Sequence, residues 1–175
     1  MIHPMTNAQA TALGFGAVLM WALLAVLTVK TVPIPPFQLT AMSFAIGGAL
    51  GLVWVFLTGE AQSLKTVSWK IYAFGTVGLF GYHFFYFSAL RLAPAAEAGL
   101  IAYLWPLLIV LFSGLLPGER LKAGHIIGGL VGFAGAALIV TQGGTTFEAS
   151  ATLGYGLALL CAMTWSSYSV ISRRL

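Results

Sequence analysis

A repeating interval constrains this chain more than any other feature: about twenty apolar residues, then a short polar or proline-rich break, six times over. The apolar runs fall at 12–30, 37–57, 71–90, 96–116, 124–141 and 152–172. A helix rises 1.5 Å per residue, so about twenty residues match the roughly 30 Å hydrocarbon core of a bilayer. Each break has a physical reason. "TVPIPPF" (31–37) carries three prolines and cannot continue a helix. "TGEAQSLKTVSWK" (58–70) holds Glu60, Lys65 and Lys70, "PGERLK" (117–122) is charged, and "QGGTTFEASA" (142–151) is rich in Gly and Thr. "RLAPA" (91–95) is so short that the third and fourth runs must form an antiparallel hairpin. The pattern predicts an all-α polytopic membrane protein with six spans.

Composition agrees. The chain is 59% hydrophobic and 7% charged, against roughly 25% charged in soluble domains, so its outer surface must meet lipid. The formal charge of +4 does not indicate nucleic acid, because the basic residues sit at the ends of apolar runs. With the N-terminus in the cytoplasm, Lys65, Lys70, Arg120, Lys122, Arg173 and Arg174 lie inside, and Lys30 and Arg91 outside. This bias predicts a multi-pass protein with both ends of the chain cytoplasmic. The single cysteine, Cys161, excludes an internal disulfide. The first run is long and has no basic segment before it, so no secretory signal is expected. There is no Ser/His/Asp set, no metal-ligand spacing and no phosphate-binding loop, and "GFAGAAL" (132–138) lies inside a span with no preceding strand. Neither an enzyme nor a cofactor is expected. Any transport must draw on gradients or on partner proteins.

A weak internal repeat appears at an offset of 140: "LGFGAVLMWA" (13–22) matches "LGYGLALLCA" (153–162) at Leu, Gly, an aromatic, Gly, Leu and Ala. It places a second copy after five spans, and an odd number of spans inverts that copy. The expected organisation is a first five-helix repeat over 1–142, then a linker and the first helix of a second repeat over 143–175. On this reading the chain is a piece of a longer protein; a natural six-span protein is the alternative.

Polar groups within spans are functional candidates by default. His83 sits deep in the third run, inside "GLFGYHFFYFSALRL" (78–92), with Tyr82 and Tyr86 four residues apart beside it. A packing histidine bonded to a neighbouring helix is the plainer account. In the fourth run, Tyr103 and Trp105 stand just before Pro106, where a break frees backbone carbonyls that could line a cavity; an ordinary proline kink is the alternative. The hairpin makes Tyr103 and Trp105 the expected neighbours of His83. Glu97, at the outer end of that run, reads as a structural charge or a partner for Arg91. Cys161, Trp165, Tyr168 and Ser172 share a helix face and read either as part of an aromatic cage or as a packing seam. Small-residue stripes at Gly124, Gly128, Gly132 and Ala136, and at Gly47 and Gly51, read as close helix packing, with a homodimer face as the minor alternative.

The segment "ALRLAPAAEAGLIAYLWPLLIVLFSGLLPGERL" (89–121) resembles the EamA family of the drug/metabolite transporter superfamily. The likeness lies in the short Pro-Ala turn, the small-residue helix start, the Leu-Trp-Pro break and the closing Gly-Glu-Arg. Within that family, "GYHFFYFSAL" and "FGAVLMWALLAVLT" (15–28) are most similar to exporters of aromatic amino acids. The resemblance implies ten helices in two inverted five-helix halves, a central cavity and alternating access, in a bacterial inner membrane. It makes Tyr82, His83, Tyr86, Tyr103, Trp105 and Trp165 the cavity lining. The substrate class it implies is an aromatic or large neutral amino acid. Same-fold carriers of drugs or other metabolites, and a non-transporting assembly subunit, are the alternatives.

Overall fold

A computed structural model describes residues 6–141, 144 and 147–175. The repeat boundary expected at 142/143 falls outside the described residues. The chain divides into two compact units, Met1–Pro33 and Ile34–Leu175. The first is a single helix, α1 (Asn7–Lys30). It begins at a capping box: the Thr6 hydroxyl accepts from the Gln9 amide (3.3 Å), and the Gln9 side chain accepts from the Thr6 amide (2.9 Å). The two bonds satisfy two of the amides that a helix start leaves unpaired.

The second unit contains α2 (Pro36–Leu57), the short α3 (Ser63–Thr66), α4 (Trp69–Leu92), α5 (Ala95–Ala102), α6 (Trp105–Ser113), α7 (Ala123–Thr141) and α8 (Thr152–Ser172). No strand occurs among the described residues. Helix α2 opens with Pro36 in its first turn, where a missing N–H costs nothing. The turn after α2 uses Gly59 at φ 76°, a left-handed conformation that suits glycine. Helix α3 is pinned to α4 by the Tyr72 hydroxyl, which donates to the Leu64 carbonyl (2.8 Å).

By length and composition, three stretches among the described residues are apolar enough to cross a membrane: Asn7–Lys30, Pro36–Leu57 and Ala95–Ser113. Helices α4 and α8 are long enough but carry more polar side chains, and those two pack most extensively on each other. Gly78, Tyr82, Tyr86 and Leu90 are buried on α4, and Gly154, Ala158, Ala162, Ser166 and Val170 on α8. Both sets recur every four residues, which makes one stripe of a helix. The two helices run antiparallel. A β-carbon at Gly78 would meet the Tyr168 ring, one at Gly81 would lie 3.7 Å from the Thr164 methyl, and one at Gly154 would lie 2.7 Å from Ala93.

The glycine stripes depart from expectation. A β-carbon at Gly47, Gly51, Gly124, Gly128 or Gly132 would meet nothing within 4 Å. On α7 the close approach is at Gly129 instead, whose β-carbon would lie 2.9 Å from Leu107 on α6. Spacing reveals that a stripe exists, but only the packing decides which face of α7 meets α6.

Candidate functional site

The centre of the α4–α8 contact is an aromatic cluster. Tyr82 and Tyr86 lie one turn apart on α4, and their rings are parallel, with centroids 6.0 Å apart at 5°. The Trp165 indole of α8 tilts against Tyr82 at 4.8 Å and also meets Tyr168 at 5.8 Å. The Tyr82 and Tyr86 rings are buried, at 6% and 8% exposure. Neither hydroxyl is a buried polar atom left without a partner among the described residues, so both end where a partner or water can reach them.

His83 occupies the neighbouring flank of α4, turned toward α2. Its ring meets Phe44 edge-on at 5.2 Å, Phe87 at 5.8 Å and Tyr82 at 4.9 Å. Its Nδ1 lies 2.8 Å from the Leu79 carbonyl. A carbonyl only accepts, so Nδ1 carries the proton and Nε2 is left as the polar atom available to a ligand. Tyr82, Phe44 and Phe87 surround the His83 ring. Neighbouring helix residues differ by about 100°, so Tyr82 faces α8 when His83 faces α2.

The helix break lies just before the proline rather than at it. Helix α5 ends at Ala102, Tyr103 and Leu104 form the bend, and α6 starts at Trp105 with Pro106 in its first turn. Pro106 has no N–H for the Ala102 carbonyl, and its ring crowds the preceding turn, so the helix yields upstream. The Tyr103 amide still reaches the Gly99 carbonyl (2.8 Å), but the Leu104 amide turns to Ile101 (3.1 Å). Tyr103 is half exposed at 53%. Trp105 is half-buried.

Ser166 was not legible as a site residue. It is fully buried, and its Oγ lies 3.0 Å from the Trp105 carbonyl and 2.6 Å from the Ala162 carbonyl. The usable signal was the period-four series Ala158, Ala162, Ser166, Val170, in which serine is the only side chain able to donate a strong hydrogen bond. The aromatic residues of α8 have different partners. Trp165 joins the cluster, whereas Tyr168 stacks on Phe74 (5.1 Å, 22°) over Gly78. Beside that pair is a groove of about 300 Å³ lined by Phe74, Val77, Gly78, Met163, Ser167 and Tyr168. It lies nearer the C-terminal end of α8 than the cluster does. At the other end, Arg91 donates to the Ile34 carbonyl (3.3 Å), and Glu97 Oε2 is buried with no hydrogen-bond partner among the described residues.

The EamA-like transporter family matches residues 9–141, and the chain belongs to that family. It is 52% identical over 172 residues to the aromatic amino acid exporter YddG of Ancylobacter novellus, a match covering 97% of this chain and 60% of that protein. It is 25% identical to the exporter of the same name from Salmonella typhimurium, over 97% of this chain and 61% of that protein. A solved crystal structure at 51% identity superposes with a TM-score of 0.76, covering 97% of this chain and 59% of that one. The chain therefore spans about 60% of the length of these two exporters.

Proposed function

We propose that this chain belongs to a secondary transporter that exports aromatic or large neutral amino acids by alternating access. The observation that carries the reading is the buried Tyr82–Tyr86–Trp165 cluster beside the helix break at Tyr103–Leu104. The substrate ring stacks on Trp105, Trp165 or the tyrosines, each such contact contributing about 0.5–1.5 kcal/mol beyond burial. His83 Nε2 and the tyrosine hydroxyls hold the polar end, with the carbonyls freed ahead of Pro106 near the ammonium. The name of the 52% identical relative supports this substrate class.

The proposed setting is the bacterial inner membrane, with six spans here, the N-terminus cytoplasmic, and two inverted repeats that rock about the cluster. The antiparallel course of α4 and α8 supports it, since third and sixth spans run in opposite directions. So does the six-to-two bias of Lys and Arg.

The test is efflux of phenylalanine from loaded proteoliposomes holding the full-length protein. His83→Leu keeps a side chain of similar bulk and removes both ring nitrogens, and a large loss of flux is expected. Undiminished flux from correctly inserted protein would remove His83 from the site. If the unsubstituted protein moves no aromatic amino acid, the export reading itself fails.

A further inference from the structure

We propose that Ser166 is a positioning residue of this site: its hydroxyl tethers the helix break to α8 and can release it. The inference rests on the export reading for its functional consequence, though not for its geometry. The bend at Tyr103–Leu104 leaves α5 and α6 joined by few backbone bonds, so their angle must be fixed from outside. Ser166 does this from a fully buried position, with Oγ 3.0 Å from the Trp105 carbonyl. Its chain neighbour, Trp165, is the indole packed on Tyr82 at 4.8 Å. One residue pair on α8 therefore sets the broken helix and the aromatic wall relative to each other.

The tether is releasable because a serine hydroxyl has one proton and here has two acceptors. Ala162 O, on its own helix, lies at 2.6 Å. When α6 moves away, the proton falls back on Ala162 and no buried donor is left unpaired. The Trp105 carbonyl, in the first turn of α6, keeps its place in the helical ladder. Making and breaking this contact therefore leaves no buried group unpaired, as an element that moves during transport requires.

The same argument predicts what removal does. Ser166→Ala orphans no polar group, so overall stability should hardly change, while the bend loses its outside restraint. The net worth of one neutral hydrogen bond is about 1 kcal/mol, which corresponds to about a fivefold change in an equilibrium constant. The experiment uses the full-length protein in proteoliposomes. Apparent KM for tryptophan or phenylalanine is measured for wild type, Ser166→Ala and Ser166→Thr, with amide hydrogen exchange over 99–108 in the absence of substrate. The expected result is a KM about fivefold higher in Ser166→Ala, restoration in Ser166→Thr, and faster exchange confined to 99–108. Wild-type KM and exchange in Ser166→Ala would overturn the proposal. Faster exchange spread across α4 and α8 would also overturn it, because that marks a packing residue. If Ser166→Ala does not insert, Ser166→Cys, close in size but a weak donor, takes its place with the same expected outcomes. If wild type moves no aromatic amino acid, the export reading fails, and the exchange measurement alone decides whether the tether exists.

Discussion

Three glycines on the packed helices should respond to the same substitution with different signs. A β-carbon at Gly154 would lie 2.7 Å from both Ala93 Cβ and the Leu92 carbonyl carbon, and 2.8 Å from the Ala93 amide nitrogen. Ordinary carbon–carbon contact is about 3.5–4.0 Å, so one end of α8 must back away from the α4–α5 turn by about 1 Å. Backbone cannot rotate aside, and overpacking of this kind costs about 1–3 kcal/mol. At Gly129 the added carbon would meet only Leu107 Cδ1, at 2.9 Å, and the end of a leucine can swing away. At Gly128 it would meet nothing, and alanine gains about 0.5–1 kcal/mol of helix propensity over glycine. For a domain of 150–250 residues, 1 kcal/mol moves Tm by about 2–4 °C. Thermal unfolding of the three detergent-solubilised variants should therefore rank Gly128→Ala at or above wild type, Gly129→Ala near it, and Gly154→Ala several degrees below. Equal midpoints for Gly154→Ala and Gly128→Ala would refute the claimed contact between α8 and the Leu92–Ala93 turn.

Trp165→Ala removes ring contacts to both Tyr82 and Tyr168; apparent affinity for aromatic substrates should fall about tenfold, and unchanged affinity would assign Trp165 to packing alone. The Arg173–Glu119 pair is 3.5 Å apart but 61% and 45% exposed, so Glu119→Gln should shift the unfolding midpoint by no more than a few degrees, with the shift vanishing at high salt. Thr6→Ala breaks the α1 capping box and should cost about 0.5–2 kcal/mol of helix stability, visible as faster amide exchange over the first turn of α1 but not in α4.

The helices were largely legible because each apolar run has to be helical once it must satisfy its backbone without water. The runs expected at 37–57, 124–141 and 152–172 appear as Pro36–Leu57, Ala123–Thr141 and Thr152–Ser172. Helix α1 starts five residues earlier than its apolar run, because Thr6 and Gln9 cap it through side chains that hydropathy does not register. The run at 96–116 became two helices, since a proline removes a bond one turn upstream of itself and the bend falls at Tyr103–Leu104. For the candidate lining residues, the residue types could be read from the sequence but the packing partners could not. Tyr82, Tyr86 and Trp165 do meet, whereas His83 turns to Phe44, a neighbour contributed by α2, on which a reading of the hairpin alone has no purchase.

The position of the cluster follows from a conflict that lipid imposes on α4 and α8. A helix that carries tyrosines, a histidine and serines cannot turn all of them to hydrocarbon, so its polar stripe must face protein or water. Helix α4 meets this with Tyr82 and Tyr86 against α8, while its phenylalanines, Phe80 and Phe84, pack on Phe37 of α2. Helix α8 answers with Ser166 and Trp165 on the facing side and leaves Leu153, Leu159 and Leu160 exposed. Small residues then bring the two backbones close at Gly78, Gly81 and Gly154. The aromatic rings are thereby gathered between α4 and α8, and Ser166 beside them reaches the Trp105 carbonyl at the bend of α5–α6. Polar side chains shielded from lipid and backbone groups released by Pro106 each need polar company. On the proposed export function, an amino acid, with an apolar ring and a charged end, satisfies both at once.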